Sequence, residues 1–379
     1  MSDALPSPSA RYVRSSKLVA YLAVAYLLLV VYASLYPFTD WRVPNDEASR
    51  FLFAGWQSYI LASDVVLNVL AYVPLGLLLT LLCMGRVPRW AAVALGITAG
   101  MLLSLSIEFA QAYLPTRISS NVDVLTNLIG ALCGSAAAHV WGERWLLSGE
   151  LRRLREHYFR AGARTDLAFV LLALWLLTQL NAEIWLFGNG DLRHLIPPNL
   201  GVRYSADAYL LLEAGVACLN FAGVAFLIGA ITRSFSAAAV SVTALILTAL
   251  MLKTLASMAL FVPGNPGLWL TPGSVLGLVA GLMLWLPLAR CSAAASTRAA
   301  AICFAGGVFL VNLAPENPYF VAALQILQRG HFLRFNAMTG LLSLWWPFLA
   351  FAFLVFLTRG DNADRPDSDR PGNRPREPS

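Results

Sequence analysis

A carboxylate inside a long apolar stretch is the first residue whose type and position suggest chemistry. Glu108 follows the predominantly apolar segment 91–107, with Ser104 four residues before it and Gln111 three residues after it. These spacings place the three side chains on one face of a helix. A charged group at membrane depth is costly and usually faces a cavity or a partner, so this face predicts a functional site.

More polar residues stand near the ends of the neighbouring apolar stretches. Arg117 lies in the short loop that follows, Asp123 and Asn127 open the next stretch four residues apart, and Asp64 and Asn68 open the preceding one. A guanidinium can bind phosphate or carboxylate, while carboxylates can hold the guanidinium or accept ligand hydroxyls and amines. The alternative is that these charges only pair with one another and close a helical hairpin.

Long apolar runs must position these residues. The 379 residues are 58% hydrophobic and only 13% charged, with a mean hydropathy of +0.65, so lipid must be the solvent of the chain. The runs are continuous and about as long as a bilayer requires of a helix. The sequence therefore predicts an all-α polytopic integral membrane bundle of about ten transmembrane helices. The ten runs are 18–35, 65–83, 90–113, 122–141, 167–186, 209–231, 237–261, 273–289, 299–313 and 337–357.

The distribution of basic residues predicts the orientation of the bundle. Clusters such as Arg86 with Arg89, the segment 144–164 and Arg359 follow even-numbered runs, so they lie on the same side as the basic N-terminus. Because Lys and Arg near helix ends stay cytoplasmic, we expect both termini inside. Only the loop with Arg329 and Arg334 departs from this rule. The first run is interpreted as a retained anchor rather than a signal peptide.

This orientation gathers the polar residues at the outer ends of the second, third and fourth runs. It also predicts five segments along the chain. They are a cytoplasmic N-terminal segment (1–17), a four-helix membrane domain (18–141), a basic amphipathic cytoplasmic linker (142–166), a six-helix membrane domain (167–359) and a disordered cytoplasmic tail (360–379).

The second membrane half holds fewer candidates. Lys253 lies inside the seventh run, where it must snorkel, pair or line a cavity, and functional and packing interpretations are equally open. Glu183 lies near the outer end of the fifth run, and His331 lies in an outer segment that forms an interfacial helix or a lid. The cysteines lack metal-site spacing, so we expect no metal and no cofactor. The basic residues orient helices and do not indicate nucleic-acid binding.

The ordered polar residues resemble those of a known family. The pattern Asn68-x-x-x-Tyr72-x-Pro74-Leu75-Gly76, then Ser106-x-Glu108-x-x-Gln111, Arg117 and Asp123-x-x-x-Asn127-x-x-Gly130, resembles the VanZ-like family of bacterial membrane proteins. The segment Ser34-Leu35-Tyr36-Pro37-Phe38 is also similar to that family. The resemblance covers residues 28–140, about a third of the chain.

The resemblance implies a role in the cell envelope at the bacterial cytoplasmic membrane. VanZ itself is associated with resistance to the glycopeptide antibiotic teicoplanin, and the longer second half of this chain argues against transferring that role directly. The implied partners are membrane lipids and an amphiphilic or lipid-linked envelope molecule. Residues that match the polar pattern of the family are Asn68, Glu108, Gln111, Arg117, Asp123 and Asn127.

Two other functions remain open from the sequence. One is an intramembrane transferase or hydrolase that acts on a lipid headgroup, with Glu108 or Asp123 as general base. The sequence lacks a recognisable nucleophile, metal triad or phosphate-binding loop, which disfavours this alternative. The other is a structural assembly factor in which the polar residues only stabilise the bundle.

Overall fold

A computed structural model describes residues 17–44, 48–53, 55, 62–142, 149–181, 184–193, 205–260, 267, 269–315 and 332–363. These residues form eleven α-helices and one short 3₁₀ helix, and no β-strand occurs among them. They fall into two compact units. The N-terminal unit takes the described residues up to 157 together with 332–338, and the C-terminal unit takes the others.

The N-terminal unit contains five helices, whose bounds are α1 (Leu18–Leu35), α2 (Ala62–Cys83), α3 (Arg89–Gln111), α4 (Asn121–Trp141) and α5 (Gly149–Tyr158). Local sequence fixes several of their ends. Pro88 precedes α3 because its missing N–H is not needed at a helix start. Ser120 caps α4 by accepting hydrogen bonds from the backbone N–H groups of Val122 and Asp123.

Glycines bring α2 and α4 into backbone contact. A Cβ atom added at Gly134 would lie 2.0 Å from the carbonyl oxygen of Val73, and one added at Gly130 would lie 2.4 Å from that of Val69. The GxxxG spacing of these glycines is typical of close helix pairs in membranes. Below them, the Thr80 hydroxyl donates to Ser135 Oγ at 2.9 Å. These glycines therefore permit close contact between the two helices.

The C-terminal unit is built around one central helix. Its helices are α6 (Ala163–Thr178), α7 (Ala206–Ile231), α8 (Phe235–Leu260), α9 (Pro272–Leu288), α10 (Ala293–Leu313) and, from Thr339 onward, α11 (Phe332–Ala363). Most of α7 is buried against its neighbours, and α9 and α10 both pack closely on it. Thr271 and Ser274 form a capping box at the start of α9.

The prediction of a polytopic all-α membrane protein is confirmed. Eight of the described helices, namely α1–α4, α7, α8, α10 and α11, are long and apolar enough to cross a bilayer. The predicted eighth run is α9, which has only 17 residues. The predicted fifth run, 167–186, is wrong at its end because α6 stops at Thr178 after 16 residues. The predicted tail was placed to begin at Gly360, whereas α11 continues to Ala363.

The chain after α6 is irregular yet buried. We refer to residues 184–193 as the irregular stretch, and Leu186 and Phe187 within it are fully buried. Side-chain and backbone groups of other helices bind its backbone. Asn312 of α10 donates to the Gly190 carbonyl at 2.8 Å, and the Gly190 N–H donates to the Ser343 carbonyl of α11 at 2.9 Å. Non-helical backbone is tolerated in membrane bundles when its polar groups are satisfied in this way.

Candidate functional site

The Glu108 carboxylate joins the end of α3 to the start of α4. Its side chain is buried, and Oε2 accepts a hydrogen bond from the backbone N–H of Ser120 at 2.8 Å. The Ser119 hydroxyl donates to the Glu108 carbonyl at 2.7 Å. A negative charge beside the first turn of a helix interacts favourably with its unpaired N–H groups. Glu108 therefore stabilises the α3–α4 connection as well as carrying charge into it.

Gln111 and Arg117 bind the end of α1. Gln111 Nε2 donates to the Ser34 carbonyl at 2.9 Å. Arg117 Nη2 donates to the carbonyls of Ala33 and Tyr36 at 2.9 and 3.0 Å. The last carbonyls of a helix have no partners within the helix, and a cation is favourable there. We refer to the polar groups at the ends of α1 and α3 and the start of α4 as the polar cluster, and the backbone of α1 is part of it.

A second polar layer lies about one turn deeper, between α2, α3 and α4. Asn127 Nδ2 donates to Ser104 Oγ at 2.9 Å, and both residues are buried. The Tyr72 hydroxyl lies close to the Ser104 side chain without a hydrogen bond of normal geometry. Within the described part of the chain, neither Tyr72 Oη nor Asn127 Oδ1 has a hydrogen-bond partner. Unsatisfied buried polar atoms are uncommon and call for an explanation.

Two carboxylates interact electrostatically with this layer. Both Glu108 and Asp123 lie within electrostatic range of the Tyr72 hydroxyl. Asp123 stands four residues before Asn127 on α4, hence on the same face one turn nearer the helix start, and it is half-buried. The structure therefore brings together Ser104, Glu108, Asp123 and Asn127 around a tyrosine.

The other described candidates lie at the start of α2 and in the C-terminal unit. Asp64 lies in the first turn of α2 and Asn68 in the second, and both are half-buried. Lys253 belongs to the C-terminal unit and is fully buried, with Nζ donating to the carbonyls of Asn181 and Ile184 at 2.5 and 2.6 Å. The Lys253 side chain thus pairs with backbone carbonyls of the same unit.

Glu183 and His331 lie outside the described residues. Among the residues that the structure describes, no group of three or more His, Cys, Asp or Glu side chains is placed to hold a metal ion. The oxygen-rich layer around Tyr72 is the part of the described cluster with atoms left to bind a ligand group.

Sequence reasoning did not select two residues that matter to this geometry. Tyr72 is named only within the family motif and not as a site residue. Its four-residue spacing from Asn68 nevertheless places both residues on one face of α2. Ser120 was not considered, although a serine directly before a polar-to-apolar helix start is the usual N-cap signal. The backbone acceptors at Ala33, Ser34 and Tyr36 have no sequence signal, because every residue carries a carbonyl.

Aromatic side chains surround the same end of the unit. Tyr32 contacts Tyr36 and Phe38, with ring centroids 5.8 and 5.5 Å apart. Phe38 and Trp41 are well exposed. Aromatic rings are enriched where a membrane protein meets the lipid headgroups. The polar cluster is therefore flanked by residues suited to that interface.

Comparison with known families supports the resemblance seen in the sequence. Residues 18–142 match the VanZ/LLP1 family model. This VanZ-like domain comprises α1–α4 with the whole polar cluster, and the rest of the chain lies beyond it. No match was found among curated proteins or among solved structures. Residues 18–142 thus form a VanZ-like domain within a membrane protein that has an additional C-terminal region.

Proposed function

We propose that this protein acts in the bacterial cell envelope at the cytoplasmic membrane, where its VanZ-like domain binds an amphiphilic or lipid-linked molecule. The polar cluster formed by the ends of α1 and α3 and the start of α4 would receive the headgroup. The match of residues 18–142 to the VanZ/LLP1 family model supports an envelope role. The reason is that VanZ itself is associated with resistance to a glycopeptide antibiotic.

The observation that carries this proposal is the adjacency of buried polar and exposed apolar side chains. Next to buried Glu108 stands Phe109, which is 47% exposed, and next to buried Arg117 stands Ile118, which is 81% exposed. In a bilayer these apolar side chains face lipid tails. A molecule with a polar headgroup and an apolar tail matches both surfaces at once.

The direct test is to identify the molecules that copurify with the protein. Wild-type protein and the Asp123→Asn variant are purified in a mild detergent, and their bound lipids are compared by mass spectrometry. We expect one class of amphiphile to be enriched on the wild type and depleted on the variant. Ser135→Ala is the matched control, because Ser135 is a buried polar residue of the same helix below the cluster.

Other outcomes select other functions. Identical lipid profiles for wild type, Asp123→Asn and bulk membrane would refute the proposal. If labelled envelope lipids are converted to a new product by the wild type and not by the Glu108→Gln variant, the intramembrane transferase or hydrolase is the better account. If both variants lose folded protein without any bound amphiphile on the wild type, the cluster is structural and the assembly factor is favoured.

A further inference from the structure

The chemistry of the second polar layer indicates which kind of headgroup it would bind. This inference rests on the proposed function and concerns Tyr72 on α2, Ser104 on α3 and Asn127 on α4. These three residues are 3%, 0% and 6% exposed, so they are effectively removed from solvent. Polar atoms at such depth are normally paired, since leaving one unpaired costs about 1–3 kcal/mol.

Two atoms in this layer have no hydrogen-bond partner among the residues that the structure describes, and both can accept a hydrogen bond. Asn127 Oδ1 is an acceptor only, because the donors of this amide are on Nδ2, which is bound to Ser104 Oγ. The Tyr72 hydroxyl can accept as well as donate. A ligand that fills this layer must therefore supply hydrogen-bond donors.

The charges around the layer favour a cation. Glu108 and Asp123 contribute two negative charges near the Tyr72 hydroxyl, and Arg117 contributes one positive charge to the same cluster, so these three side chains sum to minus one. The Nη2 group of Arg117 donates to the carbonyls at the end of α1. An anionic group would meet two carboxylates at low dielectric, where repulsion is strong.

We infer that the VanZ-like domain recognises a primary ammonium group of its amphiphilic ligand, with Asn127 Oδ1 and the Tyr72 hydroxyl as acceptors. An ammonium group carries three donors and a positive charge, which satisfies both unpaired atoms and offsets the carboxylates. Asp123 is half-buried and lies one turn nearer the start of α4, on the same face as Asn127. The headgroup would approach the layer from this side.

The test uses three amphiphiles with the same alkyl tail and different headgroups, namely an alkylammonium, an alkyl phosphate and an alkyl glucoside. The full chain is placed in phosphatidylcholine nanodiscs, and binding is measured by native mass spectrometry. We expect saturable binding of the alkylammonium. We expect Asn127→Leu to weaken it by about tenfold or more, as for loss of a hydrogen bond to a charged group. Tyr72→Phe should weaken it less.

Two further variants keep the result interpretable if Asn127→Leu folds poorly. Asn127→Asp keeps an acceptor oxygen and adds negative charge, so alkylammonium binding should be retained or strengthened. Thr80→Val removes a buried polar group of α2 that lies below the layer and binds Ser135, so binding should be unchanged.

Each contrary result has its own meaning. If the alkyl phosphate or the glucoside binds in place of the alkylammonium and loses affinity in Asn127→Leu, the ammonium assignment is wrong while the proposed function stands. If the alkylammonium binds and Asn127→Leu and Tyr72→Phe leave its affinity unchanged, the layer holds only buried water and the inference fails. If none of the three amphiphiles binds saturably, both the inference and the proposed function fail.

Discussion

At the scale of single residues, the polar cluster contains two kinds of side chain. Glu108, Gln111 and Arg117 complete the hydrogen bonding of helix ends, as the hydrogen bonds to Ser120, Ser34 and Ala33 show. Tyr72 and Asn127 instead hold atoms that nothing in the described chain satisfies. The first set thus stabilises the end of the bundle, and the second set has polar atoms that can bind a ligand.

Arg117→Ala should destabilise the VanZ-like domain. The substitution leaves the carbonyls of Ala33 and Tyr36 without their donor, and we expect the free energy of unfolding to fall by about 2 kcal/mol or more. Thermal unfolding of the purified protein in detergent, followed by tryptophan fluorescence, measures this change. Arg86→Ala is the control, because Arg86 also binds a helix-end carbonyl, that of Leu82, from an exposed position. Equal melting temperatures for the two variants would contradict a capping role.

Lys253→Met should destabilise the C-terminal unit. Methionine fills a similar volume but cannot donate, so the carbonyls of Asn181 and Ile184 lose a shared partner. We expect a loss of about 1–3 kcal/mol in unfolding free energy. Thr248→Val on the same helix removes only a hydroxyl bonded to its own helix and should change little. An unchanged or raised melting temperature for Lys253→Met would show that the buried ammonium does not stabilise this unit.

Residue types and spacing predicted that polar residues of three helices and one loop gather at one end of the domain, because helical periodicity and charge placement can be read from sequence. Among these residues are Glu108, Asp123 and Asn127. The partners were not predictable. Arg117 is predicted to bind a ligand or a carboxylate, and the structure shows that it also binds backbone carbonyls of α1. A carbonyl has no sequence signature, so only the fold shows which ones a side chain reaches.

At the scale of elements, the contact between α2 and α4 depends on residues without side chains. Gly134→Ala would place a Cβ atom 2.0 Å from the Val73 carbonyl oxygen and 2.7 Å from the Leu77 nitrogen. Because both atoms belong to backbone, the helices must separate, and overpacking of this kind costs about 1–3 kcal/mol. We expect a lower melting temperature and a smaller monodisperse fraction in size-exclusion chromatography.

The control for this substitution is another glycine within a membrane helix. Gly229 of α7 has no atom nearer than Ser296 Oγ, at 3.5 Å from its added Cβ. Gly229→Ala should therefore be neutral or stabilise the protein by up to about 1 kcal/mol through helix propensity. The prediction is contradicted if Gly134→Ala behaves in the same way.

Helix bounds were predictable where hydropathy changes abruptly, as at the ends of α1 and α4. The end of α6 was not. The predicted fifth run continued to Leu186 because Leu186 and its neighbours are apolar, yet the helix ends at Thr178. Hydrogen bonds from Lys253, Asn312 and Ser343 satisfy the backbone beyond that point. Such long-range partners make an irregular segment possible in an apolar sequence that would otherwise be helical.

At the scale of the whole molecule, two short helices bear on the topology. At 1.5 Å per residue, α6 with 16 residues and α9 with 17 residues are about 24 and 25 Å long, somewhat less than the roughly 30 Å of a hydrocarbon core. If both cross the membrane together with the eight longer helices, or if neither does, the number of spans among the described helices is even, as expected for termini on one side. If only one crosses, that number is odd.

We expect both termini to be cytoplasmic, as the basic residues predict. A green fluorescent protein fused to the C-terminus should fluoresce, and alkaline phosphatase fused after Pro44, in the loop that follows α1, should be active. An inactive phosphatase at Pro44 would reverse the orientation and place the polar cluster inside. A dark C-terminal fusion on a well-expressed protein would contradict a cytoplasmic C-terminus and indicate an odd number of spans.

The glycine contact between α2 and α4 also has a mechanical consequence. A carbonyl of α2 lies against Gly130 and another lies against Gly134, which leaves little room between the two helices, so we expect α2 and α4 to move together. Tyr72 lies on α2 and Asn127 on α4, and Asn127 is hydrogen-bonded to Ser104 of α3. We therefore expect any opening of this layer to involve a movement of α3 relative to the α2–α4 pair.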